Sequence, residues 1–252
     1  MALYLLVFSP TGGTKKAAEA LLKGFDAPYK TVDCLKQADL SALSFQKDDI
    51  CVVAAPSFGG RLPQLFAKRL QTLRGNGARA VPVVVYGNRA YEDTLLELSD
   101  LLTAAGFACC AGVAAVAEHS IFRQFAAGRP DADDCAALLR FGKEIQQKLQ
   151  GGDANPLEFP GNRPYKPLKD NPMKPQGTDA CITCGTCAKE CPAGAIPKET
   201  PKMTDPALCN SCMRCIAVCP VGARKNDDTL YSATLERLTP LCEGRKENEL
   251  FL

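Results

Sequence analysis

The stretch ALYLLVFSPTGGTKKAAEALLKGF, residues 2–25, changes character twice. Residues 2–8 are apolar at successive positions, as a strand buried on both faces of a parallel sheet must be. Residues 14–24 carry a helical pattern. Between them lies SPTGGT, residues 9–14, rich in hydroxyls and glycine and without a basic residue until Lys15. The strand–loop–helix order recurs down the chain. Further strands are expected at 29–33, 50–55, 80–86 and 107–116, and further helices at 64–73, 92–105 and 131–149. Such alternation implies an α/β fold with right-handed crossovers, a doubly wound five-stranded parallel sheet occupying residues 1–150.

Bulk properties narrow the function classes. The 252 residues are 46% apolar and 23% charged, with a formal net charge of +2. Charge is balanced in both halves, so no basic surface for nucleic acid or anionic lipid is expected. No stretch approaches the roughly 20 apolar residues of a membrane span, and the opening apolar run lacks the flanks of a signal peptide. Fourteen cysteines are present, and eight of them crowd into two short runs. Crowding of this kind suits a metal centre in a reducing compartment rather than a secreted disulfide scaffold. A cytoplasmic location is the expectation, and Cys34, Cys51, Cys109, Cys110, Cys135 and Cys242 are expected to be core residues.

Composition shifts at residues 151–177, which hold six prolines and read as an extended linker lying on a domain surface. An internal repeat follows. CITCGTCAKECPAGAI (181–196) and CNSCMRCIAVCPVGAR (209–224) align at an offset of 28 residues with all eight cysteines in register. Each half reads C-x2-C-x2-C-x3-C-P. Thiolates are soft ligands suited to iron–sulfur clusters or zinc. Zinc needs only two cysteine pairs, which leaves the third cysteine and the trailing Cys-Pro of each half without a purpose. The repeat resembles a bacterial-type ferredoxin over residues 178–224, a small α+β domain with two 4Fe-4S clusters. In that family the fourth cysteine of each run ligates the other cluster. The resemblance therefore implies one cluster on Cys181, Cys184, Cys187 and Cys219, and a second on Cys209, Cys212, Cys215 and Cys191. Residues 226–252 are expected to form a short helix and a tail, docked through Leu230, Leu235 and Leu238.

With a redox module in the chain, the opening loop takes on meaning. It follows a strand and opens a helix, where unpaired N–H groups favour an anion. Ser9, Thr11 and Thr14 offer hydroxyls, and Gly12 and Gly13 admit close backbone approach. The loop resembles the flavodoxin phosphate loop, Ser/Thr-x-Thr-Gly-x-Thr, which holds the phosphate of FMN. Gly13 stands where that family carries Asn, which makes a nest of backbone N–H groups the expected cradle. Two further loops occupy the places of the flavin-ring loops in flavodoxins, at the carboxyl ends of strands where open α/β sheets bind ligands. Pro56, Ser57, Phe58, Gly59 and Gly60 would line one side of the ring. Gly87, Asn88, Arg89, Ala90, Tyr91 and Asp93 would line the other. His119 is expected to be an ordinary loop histidine.

As a whole, the sequence resembles the flavodoxin–ferredoxin fusion family. The resemblance implies an electron carrier passing electrons between two clusters, FMN and an external redox protein. The alternative is an FMN-dependent reductase of a small molecule, fed by its own clusters, with the loop EHSIFRQFAAGRPDADD (118–134) and the linker walling a pocket. Donor, acceptor and oligomeric state are left open at this level.

Overall fold

A computed structural model of the chain describes residues 1–151, 155 and 157–252; part of the expected linker, at 152–154 and 156, lies outside the described residues. The chain begins with strand β1 (Leu3–Val7), helix α1 (Gly13–Leu22), β2 (Tyr29–Asp33) and β3 (Ile50–Pro56). It continues through α2 (Gln64–Leu70), β4 (Arg79–Tyr86), α3 (Thr94–Ala104), β5 (Ala108–Cys109), β6 (Gly112–Val116) and α4 (Ala132–Gln150). The sheet order is β2-β1-β3-β4-β6, all parallel, with β5 beside the start of β4. This is the doubly wound, flavodoxin-like order, with its switch point between β1 and β3. β3 is buried at every position up to Ala55 and β4 at every position after Arg79, which explains their unbroken apolar runs.

The expected single strand at 107–116 is two strands. Arg79 pairs with Ala108 in one and Val83 with Val113 in the other, so one extra residue enters the ladder between them and bends the chain as a bulge does. Cys109 then turns its carbonyl to the N–H of Leu157 (3.0 Å) rather than to the ladder alone.

Two layers of side chains cover the sheet. On one face Phe8, Phe45, Phe66, Leu95, Leu98 and Leu102 pack together; on the other, Leu21, Leu22, Val52, Val83, Leu138 and Ile145 do. α1 crosses α4 at two glycines. A Cβ on Gly142 would lie 2.1 Å from the Leu21 carbonyl oxygen, and one on Gly24 would lie 2.3 Å from that of Leu139. Only glycine allows the two backbones to come this close.

Past α4 the chain lies along the α/β unit. Phe159 is buried against it, and Tyr165 donates its hydroxyl to Asp100. The cysteine-rich unit comprises β7 (Gln176–Gly177), α5 (Thr186–Glu190), α6 (Arg214–Ala217) and β8 (Arg224–Lys225), with β7 and β8 antiparallel. Helix α7 (Asp228–Leu238) follows, capped by the Asp227 side chain on the N–H of Leu230 (2.8 Å). Leu230, Leu235 and Leu238 of this helix pack against Phe122, Phe125, Met173 and Met213, and the tail beyond it is not irregular throughout. It forms β9 (Glu249–Phe251), antiparallel to β6, so the sheet gains an antiparallel edge strand absent from the five-stranded expectation. No helix among the described residues is long and apolar enough to cross a membrane.

Candidate functional site

The two cysteine runs fold as copies of one another. Thr183 and Ser211 have φ of 54° and 55°, Gly185 and Met213 have 72° and 62°, and Gly194 and Gly222 have 64° and 61°. These are left-handed residues at matching places of the repeat, and alternating hand turns successive N–H groups toward one point, as an anionic centre requires. The last cysteine of each run is treated alike too. Ala195 N–H donates to Cys191 Sγ at 3.3 Å, and Ala223 N–H to Cys219 Sγ at 3.2 Å.

Cys191, Cys209, Cys212 and Cys215 together line one small cavity beside α6. These are the four thiols that the ferredoxin resemblance groups, including the crossing ligand from the other run. The buried side-chain amide nitrogen of Asn210 lines the same cavity and has no hydrogen-bond partner, a donor suited to a cluster sulfide. The residues present thus fit a cubane at this place. Burial pushes the Cys212 thiol up to about 12 and Cys215 to about 11. Among the other four, Cys187 is buried while Cys184 is exposed, its thiol lowered by the Thr186 hydroxyl. Among the described residues no three His, Cys, Asp or Glu side chains converge tightly enough for a single ion; thiolates on the corners of a cubane stand farther apart than thiolates on one metal.

The three loops singled out in the α/β unit lie along one edge of the sheet, since β1, β3 and β4 are adjacent and parallel. In the first, Gly12 is the left-handed residue preceding α1 (φ 98°), and Thr11 and Gly12 are exposed. Ser9 Oγ accepts the N–H of Lys15 at 3.0 Å, and Thr14 is buried. No acidic residue stands in the first turn of α1, so the helix terminus keeps its positive end free for an anion. In the second loop Ser57 is tied by its N–H to the Val85 carbonyl (2.8 Å) and by its hydroxyl to Thr94 (2.7 Å). Phe58 and Arg61 close a tight turn with Gly59 and Gly60 at its tip, and Phe58 is partly exposed.

The third loop is occupied by other parts of the chain. Asn88 is buried, its amide nitrogen donating to the carbonyls of Cys242 and Gly244 (both 2.7 Å). The Asp93 carboxylate receives the Asn162 amide (2.9 Å) and the backbone N–H of Lys166 (2.7 Å). Burial would push Asp93 up, but these donors hold it below its usual range. Arg89 pairs with Glu92 (2.9 Å), and the Tyr91 hydroxyl meets Glu249 (3.2 Å). Gly87 and Ala90 are half-buried between them. Arg61 is engaged as well, by Glu97 at 2.8 Å.

Two arginines missed at the sequence level join the α/β unit to the cysteine-rich unit. Arg214, between Cys212 and Cys215, donates to the Pro10 carbonyl at 3.2 Å and to Glu190 at 2.5 Å. Arg69 donates to the carbonyl of Pro192 at 3.1 Å. A contact across 204 residues leaves no periodic signal in a sequence. The loop at 118–134 turns inward: Phe122 and Phe125 pack with Met173 and Met213. His119 accepts the N–H groups of Ile121 and Phe122 at its Nδ1 (both 3.1 Å). A groove of about 320 Å³, lined by Leu3, Phe25, Ile50 and Leu149, lies at the opposite ends of the strands, away from both sites.

Residues 180–223 match the family model of the 4Fe-4S dicluster domain, which gives the cysteine-rich unit an iron–sulfur, electron-transfer role. No curated protein matches the sequence. Among solved structures, the Streptococcus pneumonia TIGR4 flavodoxin is similar at 19% identity over 58% of this chain and 97% of its own, with a TM-score of 0.40. The oxidised flavodoxin 1 of Bacillus cereus is 18% identical over 58% of this chain and 96% of its own, at 0.42. An FMN-dependent NADH-azoreductase from Bacillus anthracis is 7% identical over 59% and 99%, at 0.37.

Proposed function

We propose that the chain is an electron carrier of the flavodoxin–ferredoxin fusion type, holding two 4Fe-4S clusters and one FMN. When bound, the clusters supply one-electron steps and the flavin stores two electrons. The first cluster would rest on Cys181, Cys184, Cys187 and Cys219, the second on Cys191, Cys209, Cys212 and Cys215. The loop at 9–14 would hold the FMN phosphate through backbone N–H groups and the hydroxyls of Ser9, Thr11 and Thr14. Pro56–Gly60 and the backbone of residues 87–91 would flank the ring, while the side chains of Asn88 and Asp93 serve the tail and the linker.

One observation carries this reading: Arg214 leaves the backbone between two cluster cysteines and bonds to the phosphate loop at Pro10. A cluster site and a flavin site fastened by one side chain suit internal transfer. Redox proteins are the expected external partners. Anaerobic purification should yield about eight irons, from two cubanes, and one FMN per chain. After rapid photoreduction of the clusters, flavin absorbance should bleach at a rate independent of protein concentration. A zinc-only protein, or a rate that rises with concentration, removes the reading. Saturable turnover of one electrophilic small molecule would favour the reductase instead.

A further inference from the structure

The cysteine repeat is broken at one chemically telling place. At the offset of 28 residues, Arg224 stands where the first run has Ile196. Ile196 is buried among Cys187 and Cys215, as an apolar residue should be. Arg224 is buried as deeply, 2% exposed, and is among the largest fully buried side chains of the chain.

Its hydrogen bonds engage both terminal nitrogens but leave its charge unmatched. Nη1 donates to the carbonyls of Pro201 (2.7 Å) and Lys202 (3.2 Å), and Nη2 to the carbonyl of Pro175 (2.5 Å) and to Thr204 Oγ1. Nε is buried with no hydrogen-bond partner. Among the described residues no carboxylate pairs with it. Burying a guanidinium without a counter-charge is strongly unfavourable.

The position supplies the missing anion. On one side Arg224 shares the Pro201 carbonyl with Cys187, whose Sγ lies 3.7 Å from that oxygen. On the other, its partners Pro175 and Thr204 line the cavity of Cys191, Cys209, Cys212 and Cys215. Both cysteine quartets therefore feel the one charge.

We infer that Arg224 is a fixed, shared counter-charge lying between the two iron–sulfur sites, and that it raises the reduction potential of both. The inference rests on the two-cluster reading above. Reduction of each cluster by an external redox protein adds one electron and no bond or proton change, so each site becomes more negative by one charge. A buried cation interacts more strongly with the reduced form than with the oxidised one, and low local dielectric leaves that attraction poorly screened.

The test compares Arg224→Gln, Arg224→Met and Arg224→Lys in the full anaerobic protein by redox titration, with EPR for the clusters and absorbance for the flavin. Iron and FMN are assayed first. Wild-type protein without eight irons refutes the two-cluster reading itself. Given eight irons, both cluster potentials should fall in the Gln and Met variants, stay near wild type in the Lys variant, and leave the flavin potential unchanged in all. Loss of iron in both neutral variants with retention in Lys also supports the inference. Unchanged potentials in a loaded neutral variant, a Lys variant that shifts as far as Gln, a shift confined to one cluster, or iron lost from all three would each overturn it.

Discussion

At the scale of single residues, the chain's only histidine is a structural group. His119 is lowered to about 4, by burial first and by the neighbouring Arg89 charge second. A histidine depressed when folded favours the unfolded state as pH falls, because only the unfolded chain accepts the proton. Its share of stability is therefore whole above about pH 6.5, the ordinary histidine value, and is lost progressively toward pH 4. Being unique, its ring protons report directly: an NMR titration should give a midpoint near 4 rather than near 6.5. Asp134 has a larger stake. Burial would raise its carboxyl, but Arg129 (2.5 Å), the Asp131 backbone and Asn248 hold it down. Asp134→Asn leaves Arg129 buried and unpaired, and urea unfolding should show a loss of about 3–5 kcal/mol. Nothing in the pattern ADDC (132–135) distinguishes Asp134 from Asp133; only the fold turns one inward.

At the scale of elements, the α1–α4 crossing depends on its glycines. Gly142→Ala would set a Cβ against the Leu21 backbone, a neighbour that cannot swing aside. The expected cost is about 1–3 kcal/mol or more, seen as a lower thermal midpoint although alanine is the better helix former. In the sequence Gly142 reads as a blemish in a helix. The elements themselves were largely legible, because β1, β3 and β4 are buried on both faces and show it as unbroken apolar runs. β9 was not, since ELF is three residues long and half-exposed, too short for any period. The bulge between β5 and β6 was hidden for a similar reason: Cys110 and Ala111 are buried and small, and continue the apolar run without a break. The cysteine repeat was legible because its spacing is local; its grouping into two quartets is what the ferredoxin resemblance implies. The pinning of Asn88 and Asp93 was not, because their partners come from 162–166 and 242–246.

At the scale of the whole molecule, the chain leaves the α/β unit after α4 and comes back to it in β9, so the cysteine-rich unit is held at both ends. One tether would confer a high effective concentration; two, with Arg214 and Arg69 between them, define an orientation. Asn88→Ala should release the tail at Cys242, Gly244 and Lys246. Amide exchange at Val113 and Ala114 should then quicken, while the amides of β1 and β3 keep their protection. The same closure bears on how the protein is made. The outer edge of β6 is an open strand until residues 249–251 arrive, and exposed edges invite pairing between chains. At ribosomal rates of about 5–20 residues per second, the wait is roughly 7–27 s. During that interval the cysteine runs emerge and must find their iron. Until those last residues are made, the unsealed edge of β6 is where newly made chains are expected to associate, and a chain ending before residue 249 should aggregate more readily than the full one.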